Sequence, residues 1–166
     1  PLGAFTQGLL VTHDGDDEPG DDATNFKFTR WDDVANALGL VIDTTTGDPR
    51  AAEMLGAQLA QRDVRYLDAT VAGSSEQARR GEVLVMVGGQ EPAFASAAAL
   101  FSTFASDAFY VGPWGAGSKM KLVVNLVLGL NRAVLAEGLS LAEALALDTE
   151  RTLELLRASA AYSKVM

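Results

Sequence analysis

From residue 38 to residue 112 the sequence alternates short runs of β-branched apolar residues with stretches whose apolar residues recur three and four apart. Beyond Gly112 it reads as helix alone. That alternation admits few folds. LGLVIDTTT, an apolar run rich in β-branched residues, reads as a buried strand, and VRYLDATV, EVLVMVGG and DAFYVG read as further strands. Between the first two, Asp48 can cap a helix and Pro49 suits its first turn, with Ala52, Leu55 and Leu59 on one face. A short helix is expected between Gly73 and Gly81, and another after Pro92 that aligns Phe94, Ala97, Phe101 and Phe104. Strands alternating with helices predict an α/β layer with a largely parallel sheet and right-handed crossovers.

The pattern divides the chain into three expected parts. Residues 1–37 form an acidic segment, residues 38–113 a partial α/β domain, and residues 114–166 the start of an all-helical domain. Helix is expected over residues 118–147. Its stretch LVVNLVLGL is apolar enough to raise the question of a bilayer, but Asn125, Asn131, Arg132, Glu137 and Glu143 interrupt it. A helix buried between protein layers is therefore the expectation. Its face carrying Leu126, Leu130, Val134 and Leu141 would need a second chain to cover it in the absence of further helices, so a homo-oligomer, a dimer in the simplest case, is expected.

Charge excludes several classes of partner. The formal net charge is −9, and eight acids against two bases lie within residues 1–33. Such a chain offers no attractive field to nucleic acid or to an anionic membrane surface. Residues 13–25, HDGDDEPGDDATN, read as a hydrated loop; a calcium loop would need Gly where Pro19 stands and a closing Glu that does not follow. With no cysteine and only His13, thiolate nucleophiles, zinc ribbons and multi-histidine metal sites are ruled out, and no metal is expected. No secretion signal opens the sequence, so the expected location is cytoplasmic.

Three segments could carry chemistry. At the start of the long helix, GAGSKMKLVVN sets Lys121 and Asn125 one turn apart. Apolar neighbours would partly desolvate the lysine and lower its pKa, making it a candidate proton carrier; the same spacing also suits a snorkelling lysine. Asp68-Ala-Thr-Val-Ala-Gly-Ser-Ser75 leaves a strand with backbone amides and two hydroxyls that could hold a carboxylate or simply make a strand-to-helix turn. Asp43-Thr-Thr-Thr-Gly47 sits at the carboxyl end of a strand, where open α/β sheets bind ligands, and its hydroxyls could face a cofactor or cap the next helix.

Together these segments resemble the β-hydroxyacid dehydrogenase family, which includes 3-hydroxyisobutyrate dehydrogenase and tartronate semialdehyde reductase. That family shows I-D-S-S-T before a Pro-started helix, then D-A-P-V-S-G-G, G-x-L-x-x-M-V-G-G and G-x-G-x-x-x-K-x-x-x-N. Here the same order reads IDTTTGDP, DATVAGSS, GEVLVMVGG and GAGSKMKLVVN. The resemblance implies the C-terminal part of a Rossmann-like cofactor domain followed by the start of an all-helical domain with one long helix. It implies an oxidoreductase using NAD or NADP to interconvert a small 3-hydroxy acid and its semialdehyde, with Lys121 and Asn125 catalytic. Ala72, Gly73 and Ser74 would hold the substrate carboxylate, and Thr46 and Gly117 would face the cofactor.

The sequence departs from the family pattern at Thr70, where Pro is usual, at Ala72, where Ser is usual, and at Ser74, where Gly is usual. The opening G-x-G-x-x-G phosphate loop does not occur in these residues. The chain is thus expected to be the central part of such an enzyme, with an incomplete active site alone. The alternative expectation is a non-catalytic truncated relative that serves oligomerisation or interaction.

Overall fold

The computed structural model describes residues 8–11, as backbone, and residues 39–166. The expected loop over residues 13–25 lies outside the described residues, as does WDDVANAL, whose spacing predicts a short helix. Five strands form one sheet in the order β1-β2-β3-β4-β5: β1 (Gly8–Val11), β2 (Leu40–Asp43), β3 (Arg65–Ala72), β4 (Val83–Gly89) and β5 (Ala105–Gly112). Helices α1 (Pro49–Ala60), α2 (Ser75–Arg79) and α3 (Glu91–Phe101) connect β2 to β5, and α4 (Ala116–Ala144) and α5 (Thr149–Ala158) follow.

The sheet is parallel at three of its four described pairings and antiparallel between β3 and β4. Loop length explains the exception. Residues 73–82 hold only the five-residue α2, whereas a parallel return needs a crossover of a dozen or more. The chain therefore turns back, and Ala72 pairs with Leu84.

Alternation along β3 divides the interior. Leu67 and Ala69 join Ile42, Val83, Val85 and Val87 beneath Ala93, Ala97 and Phe101 of α3. On the other face Tyr66 packs with Val41, Val64 and the buried Ala52 and Leu59 of α1, with Leu55 and Trp114 at the margin. As expected, Asp48 caps α1, its carboxylate accepting from the Arg50 amide at 2.9 Å, with Pro49 in the first turn. Phe94 and Phe101 stack at 6.0 Å between ring centres, and Phe104 meets Phe101 edge-on at 6.2 Å.

The chain divides into two compact units, residues 1–121 and 122–166. In the second, the remainder of α4 and α5, only Ala142 is buried. α4 extends about 43 Å at 1.5 Å per residue, and it is long and apolar enough by length and hydropathy to span a bilayer. The expectation of burial between layers is corrected: Leu126, Leu130, Val134 and Leu141 are each more than half exposed, because nothing among the described residues covers them.

Candidate functional site

The site grows from the junction of β3 with the first turn of α4. Strand β3 is buried from Tyr66 to Thr70, yet it carries Asp68 and Thr70 on one face, two polar residues that must find partners there. Asp68 Oδ1 accepts from the Gly115 amide and Oδ2 from the Ser118 amide, both at 3.0 Å. The carboxylate thereby caps the start of α4, where amides lack intrahelical acceptors and favour negative charge. Burial pushes the Asp68 carboxyl above its ordinary pKa, and the amides of Ser118, Gly115 and Gly117 pull it back down.

The two glycines of GAG serve this close approach. Gly115 has φ +82°, and a Cβ there would lie 2.7 Å from the Pro49 carbonyl. Gly117 is buried, and a Cβ on it would run into the Asp68 carbonyl and lie 2.7 Å from that of Met86. Gly117, expected to face a cofactor, is thus required by backbone packing against β3 and β4. The Thr70 hydroxyl, fully buried, donates to the Gly117 carbonyl at 2.9 Å.

One turn later Lys121 Nζ donates to the Val71 carbonyl at 2.7 Å, two residues before Gly73. Partial burial lowers its pKa from the ordinary lysine value. Among the described residues it has no carboxylate partner. The nearby Lys119, by contrast, pairs with Glu53 at 2.6 Å. Asn125 follows one turn along α4, is exposed, and belongs to the second compact unit.

The loop after β3 differs from the open amide cradle expected of it. Gly73, at φ +150°, approaches Val83 so closely that a Cβ would meet its Cγ1 at 2.6 Å. Ser74 caps α2 in a reciprocal box: its amide donates to Gln77 Oε1 at 2.8 Å and its Oγ accepts from the Gln77 amide at 3.2 Å. The Ser74 amide is therefore committed, while among the described residues its hydroxyl proton and the Ser75 hydroxyl have no acceptor.

After β2, Asp43 accepts from the Thr45 amide at 2.9 Å, the Thr45 hydroxyl at 2.7 Å and the Tyr66 hydroxyl at 2.9 Å. Burial, followed by the Asp43 charge, raises the Tyr66 pKa and keeps that hydroxyl a donor. Trp114 Nε1 in turn donates to the Tyr66 carbonyl at 3.0 Å, so the turn before α4 is tied to the same strand. This framework leaves Thr46 exposed, with its hydroxyl unpartnered among the described residues. A depression of about 250 Å³ between α3 and β5, lined by Phe94, Phe101, Ser102 and Asp107, contains none of these residues. The described residues hold no group of three or more potential metal ligands.

Asp68, Thr70, Asp43 and Tyr66 were not singled out as site residues by their sequence. The available signal was the period-two placement of Asp68 and Thr70 in an otherwise apolar strand.

Two family models match the chain: the NAD binding domain of 6-phosphogluconate dehydrogenase over residues 32–112, and the NAD-binding of NADP-dependent 3-hydroxyisobutyrate dehydrogenase over residues 115–166. The chain is 32% identical over 127 residues to 2-(hydroxymethyl)glutarate dehydrogenase of Eubacterium barkeri, covering 76% of this chain and 42% of that protein. It is 30% identical over 133 residues to the cytokine-like nuclear factor N-PAC of Aedes aegypti, covering 80% of this chain and 24% of the relative. The structure of Mycobacterium tuberculosis 3-hydroxyisobutyrate dehydrogenase with L-serine superposes with a TM-score of 0.73 at 28% identity, over 79% of this chain and 46% of that one. The chain thus spans less than half the length of each.

Proposed function

This chain belongs to the β-hydroxyacid dehydrogenase family, and from that premise we propose that it is part of an NAD(P)-dependent oxidoreductase interconverting a small 3-hydroxy acid and its semialdehyde. The observation that carries the reading is the setting of Lys121: an ammonium 2.7 Å from the Val71 carbonyl, partly desolvated, beside the Gly73 loop and free of any described carboxylate.

The cofactor class that goes with both matched domains is NAD or NADP. The residues present fit one end of it. Thr46 offers a hydroxyl, unpartnered among the described residues, at the carboxyl end of β2, where the nicotinamide would lie. Gly115 and Gly117 are filled by protein backbone and side chain and leave no phosphate cradle. Bound NAD(P)H supplies the hydride that reduces the carbonyl carbon.

In reduction, Lys121 Nζ gives a proton to the carbonyl oxygen as it becomes a hydroxyl. In oxidation the neutral amine takes that proton back. The bond to Val71 occupies one ammonium proton and leaves others for the substrate oxygen. Ala72, Gly73 and Ser74 border the substrate carboxylate, the Ser74 and Ser75 hydroxyls donating where the family pattern has a serine at position 72. By the family pattern, Asn125 is the residue expected to orient the substrate.

The test is NADH and NADPH oxidation with short semialdehydes bearing a carboxylate. Lys121→Ala lowers turnover by about 10²–10⁴-fold and leaves cofactor affinity unchanged. Turnover independent of Lys121 contradicts the reading. A second reading, a non-catalytic oligomerisation module, is favoured by the exposed apolar face of α4. It predicts a stable oligomer by light scattering and no nicotinamide binding. The cytoplasm remains the proposed location.

A further inference from the structure

The grip of β3 on α4 contains an element that the motif resemblance does not account for. Position 70 is proline in the family pattern and has no hydroxyl to give; here it is threonine, fully buried. Its Oγ1 donates at 2.9 Å to the Gly117 carbonyl, 47 residues away in sequence. In an α-helix the carbonyl of residue 117 is also the acceptor for the amide of residue 121. The Thr70 hydroxyl therefore holds the carbonyl to which the backbone of Lys121 is itself bonded. From the other end, Nζ of the same lysine returns to β3 and donates to Val71, the neighbour of Thr70. Backbone and side chain of Lys121 are thus both referred to two adjacent residues of one buried strand.

We propose that Thr70 is a positioning residue for Lys121: its hydroxyl fixes the first turn of α4 so that the lysine amine is held at the carboxyl end of β3. The proposal rests on the reading of Lys121 as the proton carrier. Asp68 performs a different task, capping amides 115 and 118 and so seating the start of the helix. Thr70 acts on a carbonyl inside the turn, and that contact decides where the Lys121 backbone lies.

Chemistry makes the tie separable from the fold. Valine has the shape of threonine without the donor, and in Thr70→Val the Gly117 carbonyl keeps its helical partner, so no buried polar group is orphaned. Thr70→Ser restores a donor at the same position. The full 166-residue chain, carbon-13 labelled at lysine, is titrated by NMR at the Lys121 ε-methylene, with thermal unfolding followed on the same samples. In the wild type the midpoint lies below the ordinary lysine value. In Thr70→Val the amine gains freedom to hydrate and the midpoint moves up toward that value; in Thr70→Ser it stays where the wild type has it. A folded Thr70→Val with an unmoved midpoint overturns the proposal, as does an upward shift common to Val and Ser. If Thr70→Val does not fold, Thr70→Ala against Thr70→Ser decides by the same two outcomes. The titration needs neither cofactor nor substrate. A midpoint that obeys these expectations while turnover ignores Lys121 would leave the positioning intact and remove the proton-transfer reading.

Discussion

Phe101, Leu67 and Val85 lie wholly out of solvent between sheet and α3, whereas Leu126, Leu130 and Val134, of comparable hydrophobicity, stand 62%, 56% and 69% exposed on α4. The difference is one of partners. In residues 39–121 the apolar faces of β3, β4, α1 and α3 meet partners from the same unit, strand face against helix face, and burial follows. In residues 122–166 two helices hold a single buried side chain, so their apolar surface has no mate within that unit. Hydrophobicity alone does not place a residue inside; a complementary face does.

Substitutions turn this contrast into numbers. Phe101→Ala removes a fully buried ring from the cluster under α3 and is expected to cost about 3–5 kcal/mol in chemical denaturation. A loss below about 1 kcal/mol, the range of surface substitutions, would mean that the first unit does not depend on this core.

Gly117→Ala sharpens the comparison at the junction. The added Cβ meets the Asp68 and Met86 carbonyls, neither of which can swing away as a side chain could. Overpacking of this kind costs about 1–3 kcal/mol, and crystallography should show the start of α4 displaced from β3. An unshifted helix at full stability would refute the packing role given to this glycine.

The smallest effect belongs to the exposed face. Leu126→Ala should change stability by no more than about 0.5 kcal/mol in dilute solution. A larger loss that grows with protein concentration would show that a second copy covers α4, and would join the two regions' behaviours.

The parts of this architecture that depend on neighbours in sequence were legible there. Apolar runs with β-branched or aromatic residues mark β2 to β5, and Asp48-Pro49 marks the start of α1, because strand composition and helix caps are local properties. The antiparallel return of β4 was not read, although the ten residues of the β3–β4 connection imply it. The division of labour at the site was the least legible. Lys121 stands out by motif, but Thr70 and Asp68 bond to the start of its helix at atoms 47 to 50 residues away, and only the folded chain brings them together. Ser74 illustrates the converse: its loop suggests open amides, and a glutamine three residues on closes one of them.

Lys121 is the group proposed to give and take the proton, and the most direct test is the pH dependence of kcat/KM measured in both directions. Its pKa is lowered by desolvation. Reduction uses the ammonium, so its rate should fall as pH rises through that lowered pKa. Oxidation uses the neutral amine, so its rate should rise through the same midpoint, below the ordinary lysine value. Opposite limbs sharing one midpoint, both lost in Lys121→Ala, are the predicted result. Limbs of the same sign in both directions, or limbs that persist in Lys121→Ala, would contradict it.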